Sequence, residues 1–127
     1  ECGLQLMLGE EHVDAEALLR ESLAIREREE PEAWTTCNAR AVLGAALLGQ
    51  GRLTEAEPLL LAGFTGLLER EDAMPVVSRR GIDNTIVWLV RLYTRARDAG
   101  DTEAAAKVTE WTARHESRRL LREAQTK

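Results

Sequence analysis

A pair of arginines offers the residue types and spacing best suited to ligand chemistry in this sequence. Arg91 and Arg95 lie four residues apart, so both side chains project from one face if the segment is helical. Two guanidinium groups on one face can bind a carboxylate or a phosphate through paired hydrogen bonds. Neighbouring acids such as Asp98 or Glu110 are alternative partners. The sequence therefore predicts either an anion-binding face or a local set of ion pairs.

Other residues with catalytic or metal-binding potential stand too far apart in the sequence to form a known motif. His12 and His115 have no grouping of acids or cysteines around them, and Cys2 and Cys37 belong to no CxxC pair. Residues 44–51 have glycines like a phosphate loop but lack its lysine. No nucleophile accompanies a recognisable base motif. We expect buried thiols, no metal, no cofactor and no catalysis.

The three tryptophans, Trp34, Trp88 and Trp111, allow two interpretations. They can form an aromatic cage around a ligand, or they can fill gaps between packed helices. We favour gap filling, because large aromatic side chains in a small domain usually contribute to its core.

Composition excludes several classes of protein. The 127 residues are 44% hydrophobic and 31% charged but only 4% aromatic, which favours a helical domain. The net charge of −5 disfavours nucleic-acid binding. Apolar runs are far shorter than the ~20 residues of a membrane-spanning helix. With no signal peptide and no initial methionine, we expect a cytoplasmic piece of a larger protein that binds no nucleic acid and no membrane.

Internal similarity predicts the architecture. The segment Gly3–Met7 aligns with Gly44–Leu48, and Ala15–Leu19 aligns with Ala56–Leu60, both at an offset of 41 residues. A weaker third copy begins at Gly100 at an offset of 49 from Gly51. We expect the eight additional residues in the loop around Met74 and Pro75 and in a longer following helix.

Each repeat unit is predicted to be a helical hairpin, over residues 1–30, 31–72 and 78–125. Apolar residues recur at steps of three and four through the second helix of each unit, which is typical of an amphipathic helix. Small residues are predicted where the two helices of a hairpin cross, because they allow close backbone approach; these are Gly3, Gly44, Ala15, Ala56 and Ala105.

Helix boundaries follow from a few residues. Gly51 should end the first helix of the second unit, because glycine tolerates left-handed backbone. Thr54 and Glu57 have the spacing of a capping box for the next helix. Pro31 disfavours helix in the residue before it, so the helix of the first unit should end near Glu29.

These residues resemble the tetratricopeptide repeat. Residues 55–60 (EAEPLL) and 22–27 (SLAIRE) are similar to phrases of its longer, kinesin-light-chain-like version. Residues 47–63 resemble the repeats of large bacterial serine/threonine protein kinases. The resemblance implies an all-α fold, a right-handed α-solenoid of about three helical hairpins in one domain over residues 1–127. It also implies a scaffold that is itself no enzyme, although the parent protein can carry a kinase domain.

The resemblance further implies that the first helices of the hairpins line a concave groove that binds a protein or peptide. On that face the sequence offers Asn38, Asn84, Arg91 and Arg95. The asparagines are fewer than in family members that clamp peptides, and the arginines favour an acidic partner. We therefore predict non-catalytic protein binding in a signalling protein.

Two other functions remain open. The shortened first hairpin should expose an apolar end, and a second copy can cover it, which predicts a homodimer or a structural assembly. A small-ligand sensor of a transcription regulator is the other alternative. That function needs a closed apolar pocket, which the low aromatic content disfavours.

Overall fold

The computed structural model of the chain describes the backbone of residues 2–125 and the side chains of residues 15–124. Within residues 2–125 there is no strand, so the predicted all-α class is confirmed. The described part of the chain forms five α-helices: α1 (Cys2–Glu29), α2 (Trp34–Gly49), α3 (Leu53–Glu69), α4 (Arg80–Asp98) and α5 (Ala104–Gln125). Two short 3₁₀ turns, Glu71–Ala73 and Val76–Arg79, connect α3 to α4, at the predicted loop.

Helices α2 and α4 end in the same way. Gly51 and Gly100 both have positive φ angles, of 79° and 109°. The amide of Gly51 donates to the carbonyl of Leu48, and the amide of Arg52 donates to that of Leu47. The same two bonds form around Gly100, shifted by 49 residues. This is the Schellman arrangement that satisfies the last carbonyls of a helix, and it confirms the predicted role of Gly51.

The predicted capping box at Thr54 and Glu57 is wrong. Arg52 occupies the N-cap of α3, and no side chain caps that helix end. Glu57 instead accepts a hydrogen bond from the hydroxyl of Tyr93 on α4. The tertiary partner competes for the carboxylate and removes it from the helix terminus.

Helices α2 and α3 pack antiparallel across small residues. A Cβ on Gly44 would lie 2.8 Å from Cγ of Leu60, and one on Gly63 would lie 2.8 Å from Cβ of Ala41. Ala41 contacts Gly63, and the later residue Gly44 contacts the earlier residue Leu60. The two helices therefore run in opposite directions. Ala41, Ala56 and Leu60 are completely buried at this contact, so the predicted crossing positions Gly44 and Ala56 are confirmed.

Gly63→Ala should destabilise the protein. The new methyl group would also lie 2.9 Å from the backbone nitrogen of Ala41, and such overpacking costs about 1–3 kcal/mol. The gain in helix propensity, at most about 1 kcal/mol, offsets only part of this. We expect a net loss of about 1–2 kcal/mol in the free energy of unfolding, measured by urea denaturation.

Gly49→Ala is the matched control. Nothing lies within 4 Å of a Cβ at Gly49, so this substitution should leave stability unchanged or raise it by up to about 1 kcal/mol. Equal destabilisation by both substitutions would contradict close packing at Gly63 as the cause.

The remaining helices also pack antiparallel to their chain neighbours. Trp111 of α5 is 6% exposed and meets the ring of Phe64 of α3 edge-on, with ring centroids 4.8 Å apart. The guanidinium of Arg114 lies 4.5 Å from the centre of the Trp111 ring. The core continues through α4, where Ile82, Ile86 and Leu89 are completely buried.

The first unit differs from the prediction. Residues 2–29 form one continuous helix, and the turn of a hairpin does not occur in that described backbone. Ala56 is completely buried, whereas its counterpart Ala15 is exposed. At the offset of 41, Glu10 replaces Gly51, and a residue with a Cβ pays about 1–2 kcal/mol for left-handed backbone. Gly3 lies outside the residues whose side chains are described.

The third unit also departs from the prediction at its crossing residue. Ala105 is exposed, and Ala104 is the buried alanine of α5. Ala104 follows Gly100 by four residues, whereas Ala56 follows Gly51 by five. The buried position therefore shifts by one residue within this unit.

Candidate interaction surface on helices α2 and α4

Helices α2 and α4 lie side by side and run in the same direction. Near their starts, Oδ1 of Asn38 lies 3.1 Å from the position that a Cβ on Gly81 would occupy. Near their ends, Nη1 of Arg95 donates a hydrogen bond of 2.6 Å to the carbonyl oxygen of Leu48. Two parallel helices in contact present one continuous strip of side chains.

The strip on α4 contains three of the predicted site residues. Asn84, Arg91 and Arg95 are exposed and recur at steps of seven and four residues, which places them on one face. Trp88 lies between them, half-buried and packed against the core. Asn38 contributes from α2 and is also half-buried. The structure therefore brings the four predicted residues to one side of the α2–α4 pair.

Arg95 has a structural partner that its spacing did not predict. Its bond to the Leu48 carbonyl satisfies a group at the C-terminal end of α2, where the helix dipole favours a positive charge. Neither Asp98 nor Glu110, the acids considered for it, contacts it. Arg95 therefore joins the ends of α2 and α4.

Arg91 is the arginine that remains available. It is exposed, and no described side chain forms a hydrogen bond or an ion pair with it. Asp98 pairs with Arg97 at 3.4 Å, and Glu110 pairs with Arg114 at 3.2 Å. The predicted alternative, in which these acids neutralise Arg91, is not what the structure shows.

Helices α2 and α4, each taken as a whole, are basic in an acidic chain. Helices α2 and α4 together carry five arginines and two aspartates, a net charge of +3, in a protein of net charge −5. Both aspartates, Asp83 and Asp98, already pair with arginines. An anionic ligand would thus meet arginines without free carboxylates beside them on these helices.

The three tryptophans do not come together: Trp88 lies on this surface, whereas Trp111 lies in the core. Trp111 is buried against Phe64 in the core, and Trp34 and Trp88 are half-buried against the same core. Gap filling is therefore confirmed for Trp111, and the other two side chains also pack between helices.

An ion-pair cluster that residue spacing did not indicate lies at the start of α4. Asp83 is 9% exposed and accepts hydrogen bonds from Arg118 at 2.9 Å and from Arg122 at 2.7 Å. Arg118 also donates to Glu71 at 2.7 Å. Burial opposes the charged form of Arg118, but Glu71 and Asp83 outweigh it and raise the pKa of this guanidinium. The cluster fixes the C-terminal half of α5 to α4.

A second missed contact joins α3, α4 and α5. The hydroxyl of Tyr93 donates to Oε2 of Glu57 at 2.7 Å, and Nζ of Lys107 lies 3.6 Å from the same oxygen. Burial, and then the Glu57 carboxylate, raise the pKa of Tyr93 well above its usual value near 10. The phenol therefore remains a hydrogen-bond donor throughout the neutral pH range.

Polar contacts join α1 to the turn between α2 and α3. Glu16 accepts hydrogen bonds from Arg52 at 2.7 Å and from Gln50 at 3.1 Å. Bonds from Arg20 and Gln50 lower the pKa of the Glu16 carboxyl. In the loop between α1 and α2, Glu32 accepts hydrogen bonds from Arg70, which directly follows α3. Arg70 donates to the backbone carbonyl and to the carboxylate of Glu32, each at 2.6 Å.

The remaining predicted chemistry is also located by the structure. Cys37 is a free, buried thiol, as predicted, whereas Cys2 and His12 lie outside the described side chains. Among the described residues, no three metal-ligating side chains come together. No helix of that same part of the chain has the length and apolarity to cross a bilayer.

The fold and this surface define an all-α protein in which each helix packs antiparallel to the next, with two exposed arginines on one face of α4 beside α2. No family model, curated protein or solved structure matches the chain.

Proposed function

We propose that this chain is a non-catalytic scaffold of the tetratricopeptide kind that binds an acidic peptide or protein segment along α2 and α4. In this proposal α1–α5 belong to a helical solenoid within a larger signalling protein, such as a bacterial serine/threonine kinase. The repeated Schellman ends at Gly51 and Gly100 and the parallel packing of α2 and α4 support the repeat.

The proposal that the partner is acidic depends on Arg91. Its guanidinium is exposed and has no described partner, and Arg80 lies on the same face of α4, also exposed. A free arginine can bind a carboxylate through two parallel hydrogen bonds. Trp88 between them offers a half-buried apolar surface for the stem of an acidic side chain.

A binding experiment with a defined probe tests the proposal. A fluorescently labelled glutamate-rich peptide is titrated with the protein and compared with a glutamine-rich peptide of equal length. Arg91→Glu should weaken binding of the acidic peptide by about tenfold or more, the equivalent of about 1.4 kcal/mol. Arg91 is preferred to Arg95, because loss of Arg95 would also expose the end of α2.

Arg28→Glu is the matched control, since Arg28 is an exposed arginine on α1 and the substitution changes the net charge equally. The proposal requires binding to be preserved in this variant. Equal weakening by both substitutions would indicate general charge attraction, and equal binding of the two peptides would exclude a carboxylate site. Either result would overturn the proposal.

A further inference from the structure

Two unpaired arginines lie on one face of α4. Arg80 and Arg91 are both exposed, and no described side chain forms a hydrogen bond or an ion pair with either guanidinium. Arg91 follows Arg80 by eleven residues, which is close to three full turns of an α-helix. Their Cα atoms are therefore about 16 Å apart along the helix axis and point within about 20° of the same direction.

The surface between these two arginines contains an aromatic ring. Trp88 precedes Arg91 by three residues and follows Arg80 by eight. Its side chain is half-buried and packs against the core. The exposed part of the indole is a flat apolar area on which an aliphatic side chain can pack. This face of α4 therefore offers a cation, an apolar ring and a second cation in that order.

The same face becomes less favourable for an anion beyond Arg91. Arg95 donates to the carbonyl of Leu48, which holds its guanidinium at the end of α2. Asp98 follows Arg91 by seven residues, again on this face. The Asp98 carboxylate is 68% exposed although it pairs with Arg97, so it repels an acidic ligand. We therefore expect such a ligand to extend from Arg91 toward Arg80.

The distance between Arg80 and Arg91 distinguishes two forms of a bound peptide. An extended strand rises about 3.3 Å per residue, so about 16 Å corresponds to five residues. Side chains five residues apart in a strand point to opposite faces, so such a strand presents only one of two carboxylates to α4. In a helix, eleven residues span the same distance, and side chains at both ends of this interval share one face. A helix also pairs its own backbone groups, which suits a surface built from two helices.

We propose that the partner of the α2–α4 surface is an acidic amphipathic helix that lies along α4. Two of its carboxylates, eleven residues apart, bind Arg80 and Arg91, and an aliphatic side chain between them packs on Trp88. This inference rests on the proposed function, and it specifies the conformation and the charge spacing of the peptide.

Two labelled peptides of identical composition test the charge spacing by fluorescence anisotropy. Each is an alanine- and glutamine-rich helix of about twenty residues with two glutamates, and a leucine three or eight residues after the first glutamate allows both directions of binding. The glutamates are eleven residues apart in the first peptide and nine residues apart in the second, which turns them to opposite faces. The first peptide should bind at least about fivefold more tightly, because only it reaches both arginines.

A proline in the middle of the first peptide tests the helical form. Proline breaks the helix but keeps both glutamates and the leucine, and circular dichroism verifies the loss of helicity. Binding should fall to the level of the second peptide. Undiminished binding of the proline peptide would overturn the helical form of the ligand.

Substitutions in the protein assign the second contact to Arg80. Arg80→Gln should weaken binding of the first peptide by about fivefold and should leave binding of the second peptide unchanged. Arg28→Gln on α1 is the matched control, because Arg28 is an exposed arginine outside this face, and it should affect neither peptide. An equal effect of Arg80→Gln on both peptides would contradict the paired contact.

The glutamate-rich peptide of the previous experiment separates failure of this inference from failure of the proposed function. If that peptide binds but the two spaced peptides bind equally, or neither binds, the spacing is wrong and the acidic-peptide site stands. If the glutamate-rich peptide also fails to bind, the proposed function is wrong and this inference falls with it.

Discussion

Trp111→Ala is expected to lower the free energy of unfolding by about 4 kcal/mol, since buried aromatic residues truncated to alanine typically cost about 3–5 kcal/mol. Trp111 is 6% exposed, and its ring meets Phe64 edge-on with centroids 4.8 Å apart. Arg114 would lose its stacking partner as well. Urea denaturation followed by circular dichroism measures the loss, and hydrogen exchange should show that α5 loses protection first.

Trp111→Phe is the matched comparison, because it keeps an aromatic ring at the contact. It should lower the free energy of unfolding by less than half as much as Trp111→Ala does. A double-mutant cycle with Phe64→Leu isolates the ring pair, for which we expect a coupling of about 0.5–1.5 kcal/mol. A cost below about 1 kcal/mol for Trp111→Ala would contradict its place in the core.

Asp83→Ala is expected to cost about 2–3 kcal/mol, because it removes a nearly buried carboxylate that two guanidinium groups share and leaves the partly buried Arg118 with Glu71 alone. Asp83 holds two guanidinium groups of α5, with contacts of 2.9 Å to Arg118 and 2.7 Å to Arg122. The side chains of Asp83 and Arg118 are only 13% and 21% exposed, so solvent cannot readily replace the lost contact. Thermal and urea denaturation both measure the effect.

Two further variants test whether the loss of stability comes from breaking the ion pairs of Asp83 or from removing a negative charge as such. Asp72→Ala removes an exposed carboxylate and should change the stability by less than about 0.5 kcal/mol. Asp83→Ala combined with Arg118→Met should cost less than the sum of the two single changes, because the contact between Asp83 and Arg118 is lost in each single variant but only once in the double variant. Strict additivity would indicate that the two side chains act independently.

The helices and the ends of two of them were predictable from local pattern. Apolar residues at steps of three and four predicted α3 and α5, and the glycines at positions 51 and 100 adopt positive φ angles where helices end. These features depend on the chain itself, because a glycine tolerates left-handed backbone in any surroundings. The turn of the first unit was not predictable in this way, because Glu10 stands where the repeat needs a glycine.

The roles of the arginines could not be predicted from spacing. Arg91 and Arg95 lie four residues apart, as do Arg118 and Arg122. The first pair lies on an exposed strip, and the second pair binds the buried Asp83. Only the packing of α5 on α4 decides which guanidinium groups find carboxylates. A signal was present in Asp83 itself, a carboxylate directly after the apolar Ile82 in the first turn of an amphipathic helix.

The residues that join one helix to another are close together in the sequence. Among the described hydrogen bonds, the widest separations are 47 residues, between Arg95 and Leu48 and between Arg118 and Glu71, although the chain has 127 residues. The entropic cost of closing a loop rises only slowly with its length, by about 0.6 kcal/mol for each doubling, and helical proteins rich in local contacts fold within microseconds to milliseconds. The middle of the chain can thus acquire its native form during synthesis, before the last helix has emerged.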